Sequence, residues 1–206
     1  PAAEAAFSVR GTLPWHNFLS GPTAWNFEDY KAYLDWMAKR NLNFIGFHCY
    51  TGGAERYVNY VEPLIEVRYR DVLPQAQFDT SLTARWGYWP MSTREFVFRS
   101  GRLFKREAFG AECAVRARDN EDHYRRAREL MRNVIDYAHQ KDIQVCLGFE
   151  FGVYPPEFYS VIPPEAMLYA TYLPDPTHPA NIELLGKYIE AILTAYPRID
   201  YIWFWL

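Results

Sequence analysis

Residues 25–50 read WNFEDYKAYLDWMAKRNLNFIGFHCY, an amphipathic segment that leads directly into an apolar one. Asn26 is a suitable helix N-cap with Asp29 three residues later, and apolar residues then recur at the helical spacing through Arg40. The run over residues 43–50 is apolar almost throughout, which is typical of a strand covered on both faces. This stretch therefore predicts a helix that turns at once into a buried strand.

The same helix-to-strand order recurs twice further along the chain. A helical stripe over about residues 121–141, opened by Asp119 or Asn120, leads into residues 143–151, IQVCLGFEF. A third helix over about residues 180–196 leads into residues 201–206, YIWFWL. Its residues expected to face inward are Ile182, Leu185, Ile189, Ile192 and Leu193. With a short strand at residues 7–11, the alternation predicts an α/β fold with parallel strands, as an open sheet or a barrel.

Two long connections interrupt this pattern, over residues 51–118 and 152–179. The first is expected to contain a hairpin around Ser100-Gly101. Both follow the carboxyl ends of predicted strands, the end that carries the active site in barrels and in doubly wound sheets. Their placement indicates an elaborated binding face there.

Polar residues stand at the ends of these strands. The sequences Gly46-Phe47-His48 and Gly148-Phe149-Glu150 echo one another. Since side chains alternate along a strand, Gly46, His48 and Tyr50 share one face, as do Cys146, Gly148 and Glu150. Taken alone, His48 fits a core histidine and Glu150 a salt-bridged strand end equally well. We expect His48 and Glu150 to lie at equivalent positions along neighbouring strands, and together they favour a polar pocket. Arg10 is expected as a third polar group at a similar position.

Other candidate groups are less specific. Imidazole and carboxylate could begin a metal site at His48 and Glu150, but the remaining histidines show no ligand spacing, so we expect no metal and no other cofactor. Aromatic residues in the long loops could stack on a sugar, or could pack beneath those loops. The aromatic residues selected as substrate-binding candidates are Trp15, Trp86 and Trp89, together with Tyr50 on the second strand.

Composition narrows the possible classes of partner. The chain has 206 residues, half of them hydrophobic, with a formal net charge of -3, which predicts a folded domain and weighs against nucleic acid as a partner. No run approaches the length of a membrane span, so we expect no membrane partner. The 7 Trp, 16 Tyr and 14 Phe favour carbohydrate as a ligand, although large cores also use many aromatic rings.

A family resemblance rests on three features: Arg10-Gly11 after the first strand, the helix and strand of residues 25–48, and DYIWFW at residues 200–205. Over residues 7–50 and 119–206 the chain resembles glycoside hydrolase barrels of the hexosaminidase (family 20) and xylan α-glucuronidase (family 67) group. The resemblance implies a (β/α)8 TIM-barrel-type fold. Residues 1–206 would be the N-terminal half of the catalytic domain, with the first four strands and three helices. It also implies a secreted or periplasmic protein, while the oligomeric state stays open.

The resemblance further implies that Arg10 hydrogen-bonds sugar hydroxyls and that His48 and Glu150 line the same pocket. The second strand departs from the family pattern, because the His-x-His-x-x-Asp sequence of hexosaminidases does not occur. The family places its acid after the fourth strand, so the main catalytic acid is expected beyond Leu206, and the fragment alone is expected to be inactive.

Glycoside hydrolysis normally needs two carboxyl groups flanking the scissile bond. Glu150 is the catalytic candidate in this chain, as an acid or, preferably, as a carboxylate that orients the substrate. The sequence therefore predicts a glycoside hydrolase acting on a polysaccharide or oligosaccharide. The alternatives are a non-catalytic carbohydrate-binding barrel and a metal-dependent sugar isomerase or epimerase.

Overall fold

The computed structural model describes residues 6–14, 22, 25–49, 64–76, 113, 116–150, 154–168 and 173–205. In chain order the elements are β1 (Gly11–Thr12), α1 (Phe27–Ala38), β2 (Phe44–Cys49), α2 (Asn120–His139), β3 (Gln144–Glu150), β4 (Met167–Leu168), β5 (Leu173–Pro174), α3 (Pro179–Ala195) and β6 (Tyr201–Trp205). Two 3-10 turns, Pro156–Ser160 and Pro164–Ala166, precede β4. No described helix is long and apolar enough to cross a membrane.

Strands β1, β2, β3 and β6 form one sheet in that order, and each neighbouring pair is parallel. The strands β4 and β5 form a separate antiparallel pair in the connection between β3 and α3. The prediction of an α/β fold with a parallel sheet and three helices is therefore confirmed. The helix limits lie within two residues of those expected from hydrophobic periodicity and capping.

Helices α1 and α2 begin and end for local reasons that the sequence contains. The Asn26 backbone N–H donates to the Asp29 carboxylate over 2.9 Å, and the Asp119 carboxylate accepts the N–H of Asp122 over 2.8 Å. At the other ends, Asn41 and Asp142 both have a positive φ, 56° and 57°. Asn and Asp tolerate this left-handed conformation better than most residues, so both helices turn sharply into the strand that follows.

The core lies between the helices and one face of the sheet. That face contributes alternate residues of β2 and β3, each no more than 1 % exposed: Ile45, Phe47, Cys49, Val145, Leu147 and Phe149. Leu34 and Met37 of α1 pack into the same cluster and are fully buried. The apolar periodicity of 3.6 in the helices and of 2 in the strands thus places both sets of side chains in one core.

The face that helix α3 turns to the core was predicted in part. Ile192 is buried as expected, whereas Ile182 and Leu193, also expected inside, are 55 % and 50 % exposed. The buried positions of α3 are Ala180, Asn181, Leu184, Tyr188, Ile192 and Ala195. Asn181 explains part of the difference, because its buried amide donates to the carbonyls of Ala166 and Asp175, both over 2.7 Å. These bonds fix the start of α3 against the connection that precedes it.

The first strand was also predicted wrongly. Residues 7–11 were expected in the strand, but β1 comprises Gly11 and Thr12, and Phe7 and Val9 are exposed ahead of it. The Asn43 side chain explains this start: it accepts the Arg10 N–H and donates to the Ser8 carbonyl, both over 2.8 Å. The backbone before Gly11 is therefore held by the Asn43 side chain and by the Arg10 carbonyl, which accepts the backbone N–H groups of Asn43 and Phe44.

Residues 64–76, within the first long connection, pack over the outside of the helices. Glu66 pairs with Arg128 of α2 over 2.9 Å, and the Tyr69 hydroxyl donates to Glu183 of α3 over 2.9 Å. The Ala76 N–H donates to the Asn120 side chain at the start of α2 over 2.7 Å. This segment thus covers the helical layer, and the hairpin predicted around Ser100-Gly101 lies outside the described residues.

A cluster of arginines surrounds the buried carboxylate of Asp122 at the start of α2. It accepts hydrogen bonds from the side chains of Arg126 and Arg125 and from the backbone N–H of Arg118, and its own side chain is 2 % exposed. These donors, with Arg126 first and Arg125 second, hold the pKa of Asp122 well below its ordinary value of 3.8.

The depressed pKa predicts how this cluster responds to acid. A carboxyl whose folded pKa lies below its unfolded pKa stabilises the fold above the unfolded value, and this stabilisation is lost as pH falls toward the folded value. We expect Asp122→Asn to lower the free energy of unfolding by a constant amount at neutral pH and by less as pH falls below about 4. Urea titrations across pH measure this, with Asp136→Asn as the exposed control. A difference independent of pH would contradict it.

Candidate active site at the carboxyl ends of the strands

The inner face of the sheet, opposite the helices, is built from register rows across β2, β3 and β6. The lower row is Gly46, Cys146 and Tyr201. The next row toward the carboxyl ends is His48, Gly148 and Trp203. In the row above that, Glu150 pairs with Trp205. Successive residues alternate between faces, so these rows lie on the same side of the sheet.

The middle row brings two rings together across a glycine. The ring centroids of His48 and Trp203 are 5.7 Å apart, in an edge-to-face arrangement with 61° between the planes. A Cβ on Gly148 would lie 3.0 Å from Cε3 of Trp203, so the indole lies over the position where another residue would have a side chain. Gly148 therefore provides the space in which rings from β2 and β6 meet above β3.

His48 is fully buried in this row, whereas Trp203 is half-buried. The structure gives His48 a packing contact with the indole, and direct contact between His48 and a sugar stays a prediction. Trp203 was not selected from the sequence. The alternation in YIWFWL could have identified it, since Trp203 and Trp205 share the face of Gly148 and Glu150.

Glu150 is the last residue of β3 and lies at the carboxyl end of the sheet, as predicted. It is not level with His48, because the partner of His48 is Gly148. The expectation of equivalent heights is therefore wrong by two residues, or about 7 Å along the strand. Glu150 lies one row nearer the carboxyl ends of the strands than His48 and Trp203 do.

Arg10 lies at the opposite end of the sheet. Its carbonyl accepts from Asn43 at the entry to β2, and its guanidinium donates to the carbonyl of Asn41 over 2.8 Å. The expectation that Arg10 is level with His48 is wrong, because β1 begins after Arg10 and pairs with the first residues of β2. Arg10 therefore joins the start of β1 to the turn before β2 and lies away from the carboxyl-end rows.

Cys146 lies one row below Gly148, on the same face of the sheet as the two rings. It is 4 % exposed, and burial raises the pKa of this thiol to about 11. A thiol with so high a pKa is protonated at neutral pH and is a poor nucleophile. The described side chains of the lower two rows thus offer aromatic rings, at His48, Trp203 and Tyr201, rather than a reactive thiol.

The other predicted substrate-binding residues lie outside the described residues, so their binding roles stay predictions. They are Tyr50, Trp15, Trp86 and Trp89. Within the described ranges no three His, Cys, Asp or Glu side chains lie close enough together to hold a metal ion.

When the chain is compared with known proteins, the matches are to solved structures only. No protein-family profile matches the chain, and no curated protein matches it. A family GH138 enzyme targeting pectin rhamnogalacturonan II is similar over 94 % of this chain and 18 % of its own, with 13 % identity and a TM-score of 0.51. The GH20 exo-β-N-acetylglucosaminidase from Vibrio harveyi, in complex with N-acetylglucosamine, is similar over 96 % of this chain and 27 % of its own, with 15 % identity and a TM-score of 0.49.

These likenesses are remote in sequence, and the chain spans about a fifth to a quarter of the length of the two enzymes. The likeness to the GH138 enzyme, with a TM-score of 0.51, shows that the described fold is like that of a glycoside hydrolase. It identifies no particular family within that group.

Proposed function

We propose that this chain forms part of the catalytic domain of a glycoside hydrolase with a (β/α)8 barrel. The observation that carries the proposal is the position of Glu150 at the carboxyl end of a parallel strand, one row above the ring pair of His48 and Trp203. In parallel α/β folds the reacting groups gather at this end of the strands. The glycoside hydrolase-like fold supports the same reading.

The proposed chemistry gives Glu150 one of the two carboxyl roles in cleavage of a glycosidic bond. A carboxyl group beside the scissile bond either transfers a proton or stabilises the charge that develops on the sugar ring. A carboxylate that hydrogen-bonds sugar hydroxyls would position the ring for the same step. We assign Glu150 to this orienting role, with the main acid supplied from another strand of the barrel.

A chromogenic assay tests the proposal. The complete natural protein is incubated with 4-nitrophenyl glycosides of glucose, galactose, glucuronic acid, rhamnose and N-acetylglucosamine, and with oligosaccharides from pectin. We expect release of nitrophenol or of reducing ends from at least one substrate, with full activity after treatment with chelator. Binding of these sugars with no hydrolysis would favour a carbohydrate-binding barrel, and activity abolished by chelator would favour a metal-dependent enzyme.

A further inference from the structure

A groove of about 510 Å³ lies between α2 and α3, on the opposite side of the sheet from the rows of the candidate active site. Residues 66–68 form its third side. Its volume falls within the range of about 300–1,000 Å³ that is typical of small-molecule sites. The described residues that line it belong to α2, α3 and this segment, so a ligand bound here would leave the candidate active site free.

Positive side chains line the groove from all three sides. Arg128 and Arg132 are four residues apart on α2, so both project from one face of that helix. Lys187 lines the groove from α3, and Arg68 lines it from the segment over the helices. A ligand in the groove would therefore meet positive charge from three directions.

The charge balance of the groove depends on Arg132. Each of the other three cations has a carboxylate partner no more than 3.0 Å away: Arg128 with Glu66, Lys187 with Glu190, and Arg68 with Glu121. Arg132 forms no ion pair with any residue that the structure describes, and its hydrogen bonds there go to backbone carbonyls. The groove thus carries a positive charge that no described carboxylate balances.

The guanidinium of Arg132 is held in position without using all its donors. Its Nε donates to the carbonyl of Ala195 over 2.6 Å, and its Nη2 donates to the carbonyl of Thr194 over 3.4 Å. Within the described part of the chain, the two N–H groups of Nη1 form no hydrogen bond. Guanidinium groups bind carboxylates and phosphates through paired N–H donors. Arg132 therefore has both the charge and the free donors that an oxyanion needs.

We propose that the groove between α2 and α3 binds a small ligand that carries an oxyanion, a carboxylate or a phosphate, held by Arg132 with Arg128 beside it. Like charges four residues apart on a helix repel each other, and a bound anion would offset that repulsion. The inference goes beyond the proposed function and does not depend on it, since the groove lies on the other side of the sheet.

Calorimetric titration of the complete natural protein tests the proposal with three probes of similar size: D-glucuronate, glucose 6-phosphate and D-glucose. The first carries a carboxylate, the second a phosphate and the third no charge. We expect at least one anionic probe to bind about tenfold or more tightly than glucose. Its affinity should fall several-fold between about 20 mM and about 300 mM NaCl, because salt screens the attraction. The tighter of the two anions identifies the chemical source of the oxyanion.

Two variants are expected to shift the affinity in opposite directions. Arg132→Met keeps an unbranched side chain and removes the charge, so it should weaken binding of the better anion about tenfold. Glu66→Gln removes the carboxylate that occupies Arg128, so it should strengthen binding about twofold or more. Stronger binding cannot result from a damaged fold.

Arg40→Met is the matched control. It makes the same chemical change just after α1, where the guanidinium lies over the ring of Trp36 at 4.6 Å from the centroid. This variant should bind the better anion as the natural protein does, because its charge lies outside the groove.

Four results would overturn the inference. They are glucose that binds as tightly as both anions, no binding of either anion, equal losses in Arg132→Met and Arg40→Met, and affinity unchanged by Arg132→Met. The last result, with a lower unfolding temperature, would show that Arg132 only caps α3. If Arg132→Met does not fold, Arg132→Lys keeps the charge without the paired donors and should weaken binding, and Glu66→Gln still tests the sign of the charge effect.

Discussion

Glu150→Gln is expected to lower the turnover of the complete natural protein on its best glycoside by about a hundredfold or more. The substitution keeps the size of the side chain and removes its ability to hold a charge or transfer a proton. Glu150 closes β3 and pairs with Trp205 through the backbone, and that pairing does not depend on the carboxylate. We therefore expect the midpoint of thermal unfolding to stay within about 2 °C of the natural protein.

The matched control for this prediction is Glu190→Gln. Glu190 lies on α3 and forms an exposed ion pair with Lys187 over 2.9 Å, so the same chemical change there removes a surface contact that contributes little. Initial rates for both variants should differ widely, while their unfolding curves stay close. A Glu150→Gln protein with normal turnover and a much lower unfolding temperature would assign Glu150 a structural role instead.

The helices, the strands they enter and the two faces of the central strands could be predicted because their causes are local. Apolar residues spaced for one helical face, the caps at Asn26 and Asp119, and the positive-φ turns at Asn41 and Asp142 act within a few residues of each other. Each of these features is determined by the residues of one segment. It can therefore be predicted from the sequence without knowing how the segments pack together.

How far along the sheet each candidate residue lies depends on contacts between segments. These positions were predicted less well. The echo of the two Gly-Phe triplets suggested that Gly46 lies level with Gly148. Register is set instead where the strands leave their turns: Phe44 pairs with Gln144, which brings Gly46 beside Cys146. A shift of two residues keeps every side chain on its predicted face, so the apolar pattern gives no sign of it.

The same reasoning applies to Arg10 and to α3. Arg10 was expected at a strand end because residues 7–11 look like a strand, and the long-range bond to the Asn43 side chain moves the start of β1 beyond it. In α3, Leu184 and Tyr188 are buried where Ile182 and Leu193 were expected. The buried amide of Asn181 is satisfied by the carbonyls of Ala166 and Asp175, a contact between segments that the apolar pattern of the helix does not indicate.

Gly11→Ala is expected to lower the free energy of unfolding by about 3 kcal/mol. A Cβ at this position would lie 1.9 Å from the carbonyl oxygen of Phe44 and 2.6 Å from its carbonyl carbon. Both atoms belong to the backbone of β2, so no side chain can rotate to make room. The strand pair Gly11–Phe44 must separate, and β1 would lose its place at the edge of the sheet.

Gly186→Ala is the matched control, because it makes the same chemical change where there is space. Gly186 lies inside α3, and a Cβ there would meet nothing within 4 Å. Alanine loses less backbone entropy on folding than glycine, so this variant should gain about 0.5–1 kcal/mol. Urea unfolding followed by circular dichroism gives both values. Variants that shift stability in the same direction by similar amounts would contradict the close approach of β1 to β2, since that approach is what distinguishes the two glycines.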